Sequence, residues 1–211
     1  MAKVEILGMP LSNYVWTTRI ACVEKGVDYE LKPVAPHTPD INAIHPLGKM
    51  PAMRHGDVTL AESKAILTYI DKAFPGPSLA PADAAGAAQV EQWVSIINTG
   101  TDPAIMRSYV LAYLFPGTPD KKPDRARIDA AQPNIEKHMD LLDKAVAPTG
   151  YLVGNTFTIA DMTLVPILAA ANRFPESSSA LAKRPNLKKY FDTHIARPSV
   201  KSTAPPPPPA A

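Results

Sequence analysis

Apolar and polar residues alternate over Val4-Glu-Ile-Leu7, and the apolar positions then recur at helical intervals, Ile20 and Val23 among them, from about Asn13 to Lys25. The change of period across Gly8-Met-Pro10 predicts a strand followed by a helix, which Gly26 stops. Tyr29-Glu-Leu31 alternates again before Pro33. Ala52-Met-Arg-His55 and Val58-Thr-Leu60 flank Gly56-Asp57, a hairpin signal weaker than Asp-Gly. Ala65, Ile66, Tyr69, Ile70 and Ala73 then make one face of a helix that runs from Ser63 to Phe74.

A β-α-β unit, an irregular stretch and a β-β-α unit imply a small mixed sheet with helices on its faces. The right-handed crossover rule makes the first two strands parallel. That is the layout of a thioredoxin-like α/β domain, assigned to residues 1–75. Phe74-Pro-Gly-Pro-Ser-Leu-Ala-Pro81 can continue neither element, so residues 76–83 read as a linker. Residues 84–198 read as an all-α bundle. One long helix spans about Ala84 to Phe115, bent near Gly100 and Pro103. Another spans roughly Lys121 to Ala147, with Ile128, Ile135, Met139, Leu142 and Val146 near one face and a kink at Pro133. Thr158-Ile-Ala-Asp161 is a capping box, and the helix behind it is apolar nearly all round, which predicts burial. A last helix covers about Leu187 to Ala196. The tail, 199–211, contains the run Pro205 to Pro209 and reads as disordered or polyproline II, either a solvated terminus or a ligand for an aromatic groove.

Composition narrows the function classes. The chain has 211 residues and a formal net charge of +2 with both signs interspersed, so no nucleic-acid footprint is visible. The apolar runs are too short to span a bilayer, the first strand carries Glu5 and does not read as a signal peptide, and the histidines lack metal-ligand spacing. A single cysteine, Cys22, rules out an internal disulfide and a Cys-x-x-Cys pair; mid-helix, it reads as a buried inert thiol. These features predict a cytoplasmic protein with no membrane, nucleic-acid or metal partner.

Two segments carry candidate chemistry. In Leu60-Ala-Glu-Ser63 an acid-hydroxyl pair opens a helix, where free N–H groups and the positive dipole end can hold a carboxylate; a plain cap is the alternative. In His45-Pro-Leu-Gly-Lys-Met-Pro51 the Met50-Pro51 bond is a candidate cis peptide that exposes an edge of backbone. Ser12, between the first strand and the first helix, can cap that helix or donate its hydroxyl to an anion. Met106, Tyr109 and Tyr113 share one helix face, through core packing or as the lining of a pocket. Arg107 beside them reads as a surface or interface residue.

Gly8-x-Pro10-x-Ser12, Glu24-Lys-Gly-Val-Asp-Tyr-Glu30, Pro46-Leu-Gly-Lys-Met-Pro51, Glu62-Ser63 and Phe157-Thr-Ile-Ala-Asp161 with Pro166 occur in the order found in the cytosolic glutathione S-transferases. The resemblance covers Val4 to about Ser202, and Asp102-Pro103 and Arg197-Pro-Ser are similar to the serine-using phi class. It implies an enzyme that conjugates the glutathione thiolate to hydrophobic electrophiles, with glutathione-dependent peroxidase activity as a possible addition. A non-catalytic glutathione-binding or scaffold protein is the alternative. The resemblance makes Ser12 the catalytic residue, with Tyr14 as rival. The glutathione contacts would be Ser12, His37, Lys49, Met50, Pro51, Glu62 and Ser63. Glu62 would take the γ-glutamyl ammonium, Ser63 its carboxylate, and Lys49 and His37 the glycyl end. Leu11, Tyr14, Met106, Tyr109 and Tyr113 would line the electrophile pocket. A homodimer and the absence of any metal are implied as well. Asn13, where proline often follows the catalytic residue, and Pro133 depart from the family pattern.

Overall fold

The computed structural model describes residues 2–206. It divides into two compact units: the chain up to Ala82 together with the segment from Arg197 on, and the residues from Asp83 to Ala196. No helix among the described residues is long and apolar enough to cross a membrane.

The first unit is a four-stranded sheet in the order β2-β1-β3-β4, formed by β1 (Val4–Leu7), β2 (Tyr29–Lys32), β3 (Ala52–His55) and β4 (Val58–Ala61). β1 and β2 run parallel, as the crossover rule requires, and the other pairs are antiparallel. Helix α1 (Asn13–Lys25) ends at Gly26 as its sequence predicts. The irregular stretch holds one short helix that its sequence did not suggest, α2 (Pro39–Asn42), and the hairpin leads into α3 (Ser63–Ala73). Ile6, Ile20, Ile66, Leu67 and Ile70 are fully buried, so the apolar faces of β1, α1 and α3 supply the core.

Two segments outside the sheet and its helices are held to the first unit by side chains, the second of them helical where the sequence suggested disorder or polyproline II. The linker segment is bound into the first unit: Lys25 donates to Asp71 (3.2 Å), Gly76 O (3.4 Å) and Pro77 O (3.0 Å), and Asp71 accepts the Leu79 N–H (2.8 Å). The start of the tail, from Ser199, belongs to a further short helix, Pro198–Ser202, held on α1. Arg197 grips the Glu24 carboxylate with both arms of its guanidinium (3.0 Å each), Ser199 donates to the same carboxylate, and Trp16 Nε1 donates to Thr203 Oγ1 (3.0 Å). The end of the proline run, from residue 207, lies outside the described residues.

The second unit is all helical. Its first helix, α4 (Ala84–Ile96), passes into a π-helical stretch, Ile97–Val110, where a bend was expected at Gly100 and Pro103, and ends in α5 (Leu111–Leu114). α6 (Arg125–Val146) buries Ile128, Ile135, Met139, Leu142 and Val146, the face its periodicity marks. α7 (Ile159–Ala171) is buried almost all round. Pro103 lies within the π-helical stretch, and Pro133 and Pro166 lie inside α6 and α7, each withholding one backbone donor from its helix. α8 (Pro175–Ala182), which its sequence did not suggest, and α9 (Pro185–Ile195) complete the unit.

Candidate active site

The register of the sheet decides which loops meet. Leu7, ending β1, pairs with both Lys32, ending β2, and Ala52, beginning β3; Ala52 in turn pairs with Ala61, ending β4. The segments that leave β1 toward Ser12, leave β2 toward His37, enter β3 through Lys49, Met50 and Pro51, and leave β4 into Glu62 and Ser63 therefore share one end of the sheet.

The turn after β1 is close-packed. A Cβ on Gly8 would stand 2.5 Å from Val15 Cγ2 and 3.1 Å from Met50 Cβ, so a side chain there would collide with the start of α1 and with the loop that enters β3. The Met9 N–H meets Met50 Sδ at 3.2 Å. Ser12 is the N-cap of α1, with Oγ accepting the Val15 N–H at 3.4 Å. Capping uses an oxygen lone pair and leaves the hydroxyl hydrogen to be donated elsewhere. The two readings of Ser12, cap and donor, thus use different parts of one hydroxyl. In front of it stands the positive end of the α1 dipole.

The Met50–Pro51 peptide bond is cis, as expected. Among the described residues the Met50 N–H and carbonyl have no backbone hydrogen-bond partner, so this short edge is open to an extended chain. Lys49, the preceding residue, is exposed. His37 is exposed at φ 63°, and its N–H donates to Gly48 O (2.8 Å). Gly48 itself has φ 62° and lies so close to the His37 ring and Asn42 Oδ1 that a side chain would collide with both.

Glu62 has φ 68° and ψ 122°, a conformation costing a residue with a Cβ about 1–3 kcal/mol and kept where surroundings impose it. Its side chain does not cap α3, so the helix start presents the N–H and hydroxyl of buried Ser63. An anion-accepting helix end therefore stands next to an exposed carboxylate. That pair suits the head group of an α-amino acid, carboxylate to Ser63 and ammonium to Glu62.

Cys22 is fully buried, and burial pushes its thiol up to about 12, against a smaller opposing pull from Arg19, so it stays protonated and unreactive. Leu11 is exposed and Tyr14 half-buried beside Ser12 in sequence.

In the second unit the Met106-Tyr109-Tyr113 stripe serves mainly as core. Tyr109 has no exposed surface, so it can only back a pocket and not line one, and Met106 is nearly buried. Tyr109 and Tyr113 both donate to Glu176 Oε2 (2.8 and 2.7 Å), and Arg125 donates to Oε1 (2.9 Å). Phe174 stacks on Tyr113 with ring centroids 4.2 Å apart. Arg107 pairs with buried Asp102 at 2.9 Å, a spacing of five residues that matches the π-helical turn. The Glu176 cluster joins residues more than sixty positions apart, and no local pattern announces it.

Burial alone would raise the Glu176 carboxyl; hydrogen bonds from Tyr113, Tyr109 and Arg125 outweigh it and hold the group down at about 2. Its folded value is below its ordinary value of 4.5, so its contribution to stability is complete above that value and lost as pH falls toward 2. Glu176→Gln is expected to cost about 1–3 kcal/mol at neutral pH. Urea melts at stepped pH should show the gap between variant and wild type closing below about pH 4.5. A gap independent of pH would dismiss the charge as its source.

Comparison with known proteins identifies the family. The family model "Glutathione S-transferase, N-terminal domain" matches residues 6–78, and "Glutathione S-transferase, C-terminal domain" matches residues 105–198. The chain is 33% identical to glutathione S-transferase 3 of Zea mays over 226 aligned positions, covering 99% of this chain and 98% of the relative. It is 32% identical to a glutathione S-transferase of Triticum aestivum, covering 97% and 94%. The apo crystal structure of a glutathione S-transferase III superposes with a TM-score of 0.85 at 32% identity, covering the whole of both chains.

Proposed function

Because this chain belongs to the glutathione S-transferase family, and is thus an enzyme using glutathione as co-substrate, we propose that its chemistry begins with a thiolate held by Ser12. Glutathione lies extended along the open edge of Met50. Its γ-glutamyl carboxylate meets Ser63, its ammonium Glu62, and its glycyl end Lys49 and His37. The sulfur then stands before the Ser12 hydroxyl and the start of α1. A free thiol is mostly protonated at neutral pH, and only the thiolate is a good nucleophile. A hydroxyl donated to sulfur, with a helix dipole behind it, favours the charged form and lowers the thiol pKa. The thiolate pair then forms the carbon–sulfur bond to a hydrophobic electrophile, and the leaving group departs with its own pair. Leu11 and Tyr14 offer apolar surface next to Ser12 in sequence. A homodimer in the cytoplasm completes this reading; light scattering tests the first part and cell fractionation the second.

The reading rests on one observation: the strand register that collects the Ser12, Met50 and Glu62-Ser63 segments at one end of the sheet. Ser12→Ala is expected to lower kcat by about ten- to a hundredfold, the value of one hydrogen bond to a charged group. At a pH below the bound thiol's pKa the calorimetric Kd for glutathione should move less than about twofold, because the bound sulfur is then protonated and the bond to the thiolate does not enter. The thiol pKa of bound glutathione, read from ultraviolet thiolate absorbance, should rise. If an aryl halide is conjugated at an unchanged rate, Ser12 loses the role and Tyr14→Phe becomes the next variant to assay.

A further inference from the structure

His45 lies in the loop that enters β3 and is buried, with 3% of its surface exposed. Its backbone is fixed on both sides: its N–H donates to Ile41 O (2.7 Å) and its carbonyl accepts the Gly48 N–H (2.9 Å). The Leu47 N–H donates to the ring at Nδ1 (3.1 Å). A ring nitrogen that accepts cannot also carry hydrogen, so the neutral imidazole bears its proton on Nε2. Nε2 stands 3.4 Å from Glu62 Oε1. Glu62 is otherwise well exposed, with 70% of its side chain open to solvent, and it departs from β4 at a strained φ of 68°. A long exposed carboxylate has many rotamers, and each must be surrendered when it grips a cation. A buried ring fixed by its own loop removes part of that freedom in advance. It holds one carboxylate oxygen within 3.4 Å of Nε2, while 70% of the Glu62 side chain stays open to solvent and keeps its negative charge available to a cation.

We propose that His45 is a positioning residue for the amino group of the substrate: its Nε2–H pre-aims Glu62 at the γ-glutamyl ammonium. This rests on the reading of Glu62 given above. It also links two stretches far apart in sequence, because one residue in the loop of Lys49 and Met50 sets the aim of a residue at the start of α3.

Two substitutions separate the ring's two contacts. In His45→Asn the side-chain carbonyl can still accept the Leu47 N–H, while the reach to Glu62 is lost. In His45→Gln the amide can still reach Glu62, while the turn contact is lost. Calorimetry of the full-length protein with glutathione should show His45→Asn weakening Kd by about three- to tenfold, the range of one modest hydrogen bond. Activity at saturating glutathione should stay within about twofold. His45→Gln should keep Kd within about twofold. With the desamino analogue, which lacks the ammonium, wild type and His45→Asn should bind alike. If glutathione affinity is unchanged in His45→Asn, or falls equally for the analogue, the proposal is overturned while glutathione binding by wild type still supports the active-site reading. If wild type binds the analogue as tightly as glutathione, the role of Glu62 itself is wrong. Should His45→Asn fail to fold, a tenfold loss in a folded His45→Gln equally overturns the proposal.

Discussion

Asp161→Ala is expected to be the most damaging single substitution in the second unit, costing about 3–5 kcal/mol. Asp161 is fully buried as the third residue of α7. Its carboxylate accepts the Leu152 N–H (2.9 Å), the Thr158 N–H (2.9 Å), the Thr158 hydroxyl (3.0 Å) and the Tyr190 hydroxyl (3.0 Å). Burial drives its carboxyl upward, and the hydrogen bonds from Thr158 and Leu152 oppose that push. Alanine removes the acceptor and strands several buried donors, each of which costs free energy when left unmade. The damage also spreads, since one carboxylate joins the start of α7, the segment before it and α9. Asp161→Asn keeps the shape and one acceptor oxygen, so it should cost about half as much. Urea denaturation followed by tryptophan fluorescence gives both numbers. A loss under about 1 kcal/mol for alanine would show that water or a shifted neighbour replaces the carboxylate.

In the first unit the corresponding weak point is Asp71. Asp71→Ala should destabilise by about 3 kcal/mol or more, because Lys25 would keep a buried ammonium without its counter-charge. Both side chains are almost completely buried, at 5% and 3% exposure. Two carbonyls, Gly76 O and Pro77 O, would be the remaining partners of that ammonium. The informative control is the double substitution Lys25→Met with Asp71→Leu. An apolar pair of similar volume has no charge to desolvate, so it should recover part of the loss, the remainder being the Leu79 N–H and the Gly76 and Pro77 carbonyls left without their partners. Equal instability of the single and double variants would mean that the residues matter for packing shape and not for charge. Lys25 ends α1 and Asp71 lies near the end of α3, whereas Ser12 and Ser63 begin those helices. Glutathione affinity per folded molecule should therefore be unchanged in Asp71→Ala, a result that separates stability from the site.

Much of the candidate site is legible in the amino-acid sequence, and the reason is that its parts are local. Ser12 announces a helix start by its place after a strand and before an apolar-periodic segment. Met50-Pro51 and Glu62-Ser63 are likewise short signals that mark backbone geometry within a few residues. Tyr109 misled, because a stripe on one helix face looks the same whether it lines a pocket or fills a core. His45 went unremarked, since nothing in His45-Pro46 says that its ring faces Glu62.

The amino-acid order by itself determined the strands, the first and third helices, the apolar faces of α6 and α7 and the capping box at Thr158, because periodicity and caps act over one or two turns of chain. Tertiary structure alone decided the rest. It paired Arg197 with Glu24 across 173 positions, folded the segment after Pro198 back onto α1, widened the helix around Pro103 and turned three distant side chains onto Glu176. Polar pairs of that kind leave no periodic trace in a chain. They form when burial brings donors and acceptors out of water and each must find a partner among whatever the packed elements bring near.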